Sequence, residues 1–207
     1  MEIAAICVSL PSRGDLLAEA IDSVYRQTRQ PDHLLIGVDY AGVGEVMNMN
    51  RLLEAADRSS GQDATELAYA FLHDDDTWTP RHLAIAEEHL DAGHDVIVAD
   101  CTTTGGRPPL VRRCAGEVAG DPRTNFADIM RDNWFVPSMV VARASAFGRW
   151  VDAEPAPPGS LPGSGTWIDW TNWRRLVTSG ARFYATGQRT VFYRFGDWNE
   201  GRSWSPS

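Results

Sequence analysis

Three aspartates, Asp74, Asp75 and Asp76, stand side by side in the stretch AYAFLHDDDTWTP, residues 68–80, directly after an apolar run. If that run is a buried strand, its carboxyl end is where ligands bind in α/β sheets. Three adjacent carboxylates repel one another there and require a counter-charge. A divalent cation supplies one. All-oxygen ligation suits Mg2+ or Mn2+, and one or two carboxylates with substrate phosphates is the usual Mg2+ arrangement. On the triplet alone a plainer reading weighs the same: an acidic flank that complements the dipole of a helix starting near Thr79. Other carboxylates break the tie. Asp39 closes the run LLIGVDY and Asp100 closes VIVAD. One strand-end aspartate is an ordinary turn residue, but two flanking the triplet describe a polar site of phosphate-and-sugar size. Asp169 lies near the start of a predicted helix, between Trp167 and Trp170. Aromatic neighbours exclude water from a carboxylate and raise its pKa toward use as a general base. Taken alone, a plain acid in a first helical turn is the simpler account.

The elements that must position these residues alternate through the first half. Residues 3–10, IAAICVSL, form a short apolar run that reads as a buried strand. After PSRG, the stretch DLLAEAIDSVYRQT carries Leu16, Leu17, Ala20, Ile21 and Val24 at helical spacing, with Asp15 as the expected N-cap. DHLLIGVDY is a second strand, EVMNMNRLLEAAD a second helix and TELAYAFL a third strand. TPRHLAIAEEHLDAG is a third helix, with Thr79 as cap and Pro80 in its first turn, and HDVIVAD a fourth strand. Such alternation implies parallel strands joined by right-handed crossovers. The second half is less regular. A hairpin is expected after Cys101, and WFVPSMVVAR is a strand near an edge or beginning after Pro137. Residues 152–166, rich in Pro, Gly and Ser, read as a functional flap or a disordered stretch. WIDWTNWRRLVTSGA is a helix ended by Gly180, and ARFYAT and RTVFYRF are two short strands. No repeat or second core interrupts residues 1–207, which read as one domain.

Composition narrows the function. The chain has 207 residues and a net charge of −9, and each of its 19 basic residues is arginine. Lacking lysine, it has no Schiff-base nucleophile and no P-loop lysine. The acidic balance argues against a broad nucleic-acid footprint. Arg107, Arg112, Arg113 and Arg123 cluster in the irregular middle, where solvated arginines and a local phosphate-binding face are the two readings. The three cysteines include no CxxC pair, which disfavours zinc and fits reduced thiols of a cytoplasmic protein. No run of membrane-spanning length and no signal peptide is expected.

In their order, these features resemble a family-2-type glycosyltransferase of the GT-A fold. ICVSLPSRGDLLAEAIDSVYRQTRQPDHLLIGVDYAG is similar to that family's opening, with a helix ending in S-x-x-x-Q and a strand ending in Asp. MNMNRLLEAAD resembles N-x-G-[IL]-x-x-A, with Asn50 on the asparagine and Leu52 where glycine is common. AFLHDDDTWTPRHL resembles F-L-D-x-D-D-x-W-x-P. DNWFVPSMVVARASAFGRW resembles N-x-x-x-x-S-x-V-x-R-R, and WIDWTNWRRLVTSGARFYATGQRTVFYRFG resembles E-D-W-x-L-W-L-R-L…G…Y-R. His73 stands where the first aspartate of D-x-D is usual, Ile168 where the glutamate of Glu-Asp is usual, and Gly196 where a histidine often follows Y-R.

The resemblance implies an α/β GT-A (nucleotide-diphospho-sugar transferase) fold: a mostly parallel central sheet flanked by helices. It implies an inverting, metal-dependent, hexosyltransferase-like enzyme that uses Mn2+ or Mg2+ and a nucleotide-sugar donor. By position, Pro11 and Asp39 line the base and ribose pocket. Asn50, Asp74 and Arg194 belong to the donor site, with Arg194 near the diphosphate. Asp75 is the leading metal ligand, assisted by Asp74 or Asp76; His73 could itself be a ligand, and a surface residue or one behind the ligands is the preferred reading. Asp169 falls on the general base. The acceptor is a small molecule, a saccharide, a protein or a modified nucleic-acid base. The alternatives are a non-catalytic GT-A-like module that binds a nucleotide or glycan, and a nucleotidyltransferase, for which SLPSRGD has too few glycines and basic residues.

Overall fold

The computed structural model describes residues 1–61, 66–105, 133, 135–155 and 167–195. The element order is β1 (Glu2–Ser9), a 3-10 turn (Pro11–Arg13), α1 (Gly14–Tyr25), β2 (His33–Val38), α2 (Glu45–Ser60), β3 (Leu67–His73), β4 (Thr77–Trp78) and α3 (His82–Asp91). It continues with β5 (Val96–Gly105), a 3-10 turn (Pro137–Met139), β6 (Val140–Arg143), α4 (Ala144–Phe147), α5 (Ile168–Thr178) and β7 (Phe183–Phe195). The expected hairpin, the four clustered arginines, Cys114, residues 156–166 of the Pro/Gly-rich stretch and the tail from Gly196 lie outside the described residues.

The strands form one sheet in the order β2-β1-β3-β6-β5-β7-β4. β1 pairs in parallel with β2 and β3, and β5 with β7, while β6 and β4 run against their neighbours. The sheet is therefore mostly parallel in strand direction. β1 and β3 are interior strands, and their unbroken apolar runs follow from burial on both faces. α1 and α2 pack on β1, α3 on β5 and β7, and α4 on β3 and β6.

Three local expectations are corrected. β6 begins after Pro137 but sits in the centre, wedged antiparallel between β3 and β5. The two short strands expected near the end are one strand, β7, which accommodates Gly187 at φ 63. Asp100 does not close its strand. β5 continues to Gly105, and Asp100 lies at an irregularity where the β5–β7 register shifts.

The caps also differ. Neither Asp15 nor Thr79 caps a helix with its side chain. The N-terminus of α3 is satisfied from α1's side: the Leu83 N–H donates to Gln27 Oε1 at 3.1 Å, and Gln27 Nε2 donates to the Thr79 carbonyl at 2.7 Å. Ser23 Oγ accepts the Trp78 N–H at 3.1 Å. The S-x-x-x-Q spacing thus braces the chain immediately after the three aspartates.

Aromatic rings fill the core beneath the site. Phe71 meets Phe147 at 4.9 Å, Trp150 at 5.2 Å and Trp173 at 6.4 Å, in the tilted and edge-on geometries that aromatic quadrupoles favour. Trp170 and Trp173 are fully buried, whereas Trp167 is 46% exposed. Two indole N–H groups fix the approach to β6: Trp173 donates to the Phe135 carbonyl at 3.0 Å and Trp78 to the Ser138 carbonyl at 2.8 Å.

Candidate active site

The parallel ends of β1, β2 and β3 bring the acids together. β3 ends at His73, and a tight turn, with the Asp76 N–H donating to the His73 carbonyl at 3.2 Å, presents Asp74, Asp75 and Asp76 in succession. All three are buried. Asp74 is held by protein on both oxygens: Ser9 Oγ donates at 2.6 Å and Arg13 Nη1 at 2.9 Å. The same Arg13 nitrogen is 3.7 Å from Asp75. Asp76 accepts from Ser138 Oγ at 2.5 Å and from the Arg194 backbone N–H at 2.9 Å. Ser138 Oγ also accepts the His73 N–H at 2.9 Å, so one buried hydroxyl fixes both ends of the acid turn.

Burial pushes the Asp75 carboxyl above its ordinary pKa, and the Asp74 charge adds to the rise. Burial and the Asp75 charge push Asp76 up to about 7. For His73, burial disfavours the charged ring, but Glu45, with Asp75 and Asp76, outweighs it and holds the pKa up to about 10. Burial and the same three aspartates push the Cys7 thiol upward, so it stays an inert thiol. Tyr193 is likewise held protonated, by burial and by Asp76, Asp75 and Asp169.

Asp169 enters from α5. Its Oδ2 accepts from Asn133 Nδ2 at 2.9 Å, and its Oδ1 accepts the Trp170 N–H at 2.8 Å. Burial raises its pKa to about 6 against these two donors, with His73 opposing and Glu45 adding to the rise. The base candidate and the acid turn therefore share one electrostatic environment.

A divalent cation fits the donor set. His73, Asp75 and Asp76 each offer one ligand atom, all within 4.8 Å of one another. His73 Nε2 makes no hydrogen bond, and it is ion-paired with Glu45 Oε1 at 3.6 Å.

The remaining sequence candidates sit as follows. Asp39 lies just past β2, its N–H donating to the Ser9 carbonyl at 2.9 Å, so it borders the β1 end. Against the effect of burial, the N–H groups of Gly44 and Val43 hold its carboxyl below the ordinary range. Pro11 is exposed in the turn after β1. Asn50 braces the chain: its amide donates to the Trp150 carbonyl at 3.0 Å and accepts the Trp150 N–H at 2.9 Å. Arg194 reaches the acid turn through its backbone, while its guanidinium donates to Glu19 at 2.5 Å. Asp100 bonds the Cys101 N–H at 2.8 Å and faces Arg189 at 3.4 Å, so its partners are not those of the acid turn. Sequence reading missed the parts played by Arg13, Ser138, Asn133 and Glu45. Asn133 and Ser138 are the two polar positions of the N-x-x-x-x-S spacing, which was the available signal.

No protein-family model and no curated protein sequence matches the chain. Among solved structures it is similar to S. aureus TarS. Residues 1–349 of TarS in complex with UDP-GlcNAc align with a TM-score of 0.67 at 14% identity, over 100% of this chain and 61% of that one. The UDP complex gives 0.66 at 14% identity over 95% and 61%, and a further structure of the same fragment gives 0.65 at 14% over 94% and 60%. This chain thus spans about three fifths of the TarS fragment. The likeness is one of fold, and the fold is the α/β GT-A glycosyltransferase fold expected from the sequence. No described helix is long and apolar enough to cross a membrane.

Proposed function

We propose that this chain is a cytoplasmic, inverting, hexosyltransferase-like glycosyltransferase that moves a sugar from a nucleotide-diphosphate donor to an acceptor hydroxyl. The observation that carries the reading is Asp169, a half-buried carboxyl held by Asn133 and the Trp170 N–H and raised to about 6, within electrostatic reach of His73 at the acid turn. That TarS binds UDP-GlcNAc and UDP supports UDP-GlcNAc as the first donor to try. His73, Asp75 and Asp76 would hold Mn2+ or Mg2+, which supplies positive charge to the departing diphosphate. Pro11 and Asp39, at neighbouring strand ends, would border the base and ribose. Asp74 positions Arg13, whose guanidinium brings positive charge to the rim where a diphosphate would lie, and Arg194, docked there through its backbone N–H, would add its guanidinium on release from Glu19.

The transfer step balances on this chain's own residues. The acceptor oxygen forms a bond to the sugar C1 as the bond from C1 to the β-phosphate oxygen breaks. The electron pair leaves with the diphosphate, and the acceptor proton passes to the Asp169 carboxylate. Attack from the face opposite the leaving group inverts C1. A carboxyl near 6 is mostly ionised at neutral pH yet basic enough to hold a proton. The acceptor hydroxyl belongs to a small molecule, a saccharide, a protein or a modified nucleic-acid base.

Asp169→Asn tests the reading. It should bind UDP-GlcNAc with Mn2+ as the wild type does, and lose transfer and donor hydrolysis by about 10²- to 10⁴-fold. Unchanged turnover refutes the assignment. A non-catalytic nucleotide- or glycan-binding module is the second reading, favoured by the engagement of Arg194 with Glu19 and of Asn50 with Trp150. Tight UDP binding with neither transfer nor hydrolysis by the wild type would select it.

A further inference from the structure

We propose that His89 and His94, at the C-terminus of α3, form a separate site for a divalent transition ion of the Cu2+ class. Gly93, at φ 94, donates its N–H to the Leu90 carbonyl at 2.8 Å, and the His94 N–H donates to the His89 carbonyl at 3.2 Å. This pair of bonds is a Schellman end, which brings the side chains of its outer two positions, His89 and His94, into contact. That contact is commonly apolar. Here it consists of two half-buried imidazoles with ring centres 6.2 Å apart. Tyr184 of β7 supports both rings, stacked on His89 at 3.9 Å and tilted against His94 at 4.8 Å. β5 follows His94 and runs parallel to β3, both being antiparallel to β6, so this cap lies at the end of the sheet opposite the acid turn.

The cap also fixes a tautomer. His94 Nδ1 lies 3.0 Å from the His89 carbonyl, which only accepts, so Nδ1 carries the hydrogen and Nε2 the lone pair. An Nδ1–H held by a main-chain carbonyl is the arrangement that orients imidazole ligands. Burial, with His94 adding and Glu88 opposing, holds the His89 pKa below its ordinary value, so that ring is neutral at pH 7. The last carbonyls of α3 form the negative end of the helix dipole, which favours a cation. Arg143 donates to the His94 carbonyl at 3.0 Å and to the Leu90 carbonyl at 2.5 Å, and its charge is balanced by Asp95 at 3.9 Å. Asp95 is also bonded by Arg182, so the imidazoles rather than an acid supply the ligands. Metal–nitrogen bonds of about 2.0–2.1 Å put the centres of two imidazoles on one ion roughly 5–6 Å apart, so side-chain rotation closes the pair. Two nitrogens with water completing the shell suit Cu2+, which takes imidazole and heads the order of divalent affinities. Mg2+ keeps oxygen ligands and is not held by this pair.

The test uses the full chain without a histidine tag, stripped of metal. Cu2+ is titrated in, and its paramagnetic broadening is followed residue by residue in the ¹H–¹⁵N spectrum. Broadening should centre on Gly93, His94 and Tyr184. Ions taken by His73, Asp75 and Asp76 are told apart by location, because they broaden the acid turn instead. His89→Phe preserves the side-chain contact of the cap, the stack on Tyr184 and the His94 hydrogen bond, but removes one nitrogen. It should weaken Cu2+ at the cap by about tenfold or more, since even residues that merely orient a ligand are worth about 10- to 100-fold. His94→Phe should do the same, which keeps the test open if one variant does not fold. Binding at the cap should also weaken as pH falls through the ordinary imidazole range, because protons and metal compete for the same lone pairs. Absence of broadening at the cap in the wild type, or unchanged broadening there in folded His89→Phe or His94→Phe, overturns the inference and leaves the glycosyltransferase reading standing.

Discussion

Removing the Asn133 amide isolates the support of the proposed base. Asn133 Nδ2 donates to Asp169 Oδ2 at 2.9 Å, which stabilises the ionised carboxylate over the neutral acid. A hydrogen bond to a charged group is worth about 1.5–3 kcal/mol, and about 1.4 kcal/mol corresponds to one pKa unit. Asn133→Ala should therefore raise Asp169 from about 6 by roughly one to two units. If transfer needs the carboxylate, the acid limb of the pH–rate profile moves upward by the same amount. With a shift of about 1.5 units, the ionised fraction at pH 7 falls from about nine tenths to about one quarter, a loss of about fourfold that disappears by about pH 9. The assay is donor turnover with UDP-GlcNAc from about pH 5 to 9, paired with a carboxyl-carbon NMR titration of Asp169. An acid limb that stays within about 0.3 unit of the wild type, with a folded variant, refutes the argument.

Other outcomes follow from the bracing contacts. Ser138→Ala leaves the His73 N–H and one Asp76 oxygen without their buried partner and should lower unfolding stability by about 2–4 kcal/mol, read by urea denaturation. Gln27→Ala removes the acceptor for Leu83 and the donor to Thr79, and a loss of about 1–3 kcal/mol is expected in the same assay. His82 is buried, stacked on Trp78 at 4.5 Å, and burial lowers its pKa from 6.5 to about 3. The folded ring stays neutral while the unfolded ring takes a proton below about 6.5, so stability present above that pH is lost progressively toward about pH 3. The loss attributable to His82 between pH 8 and pH 5 is about 2 kcal/mol, and it should vanish from the difference curve of His82→Phe.

The acid turn and the neighbouring position of Asp169, the proposed base, were legible because both are written locally: carboxylates follow an apolar run, and tryptophans flank an aspartate. What supports them was not, because those partners are distant in sequence. Arg13 and Asp74 are separated by 61 positions, and Ser138 and Asp76 by 62. The hydrophobic pattern of β6 marks a strand but carries no information on whether it lies at an edge or between β3 and β5. ARFYAT and RTVFYRF read as two strands because the sequence does not show that β7 absorbs a positive φ at Gly187 and continues. Asn50 matched a motif position, yet its amide is taken up by a backbone 100 residues away.

Asp76 is the point at which the chain's late arrivals meet its beginning. One oxygen waits for Ser138 and the other for the amide of Arg194, so the pocket stays unfinished until nearly the last described strand has docked. Assembly of that kind depends on long loop closures, which slow folding and tie it to the global transition. Fragments ending before β7 would therefore retain the three aspartates in their primary order but not the arrangement that restrains them, and ion uptake during refolding would report completion of the whole domain.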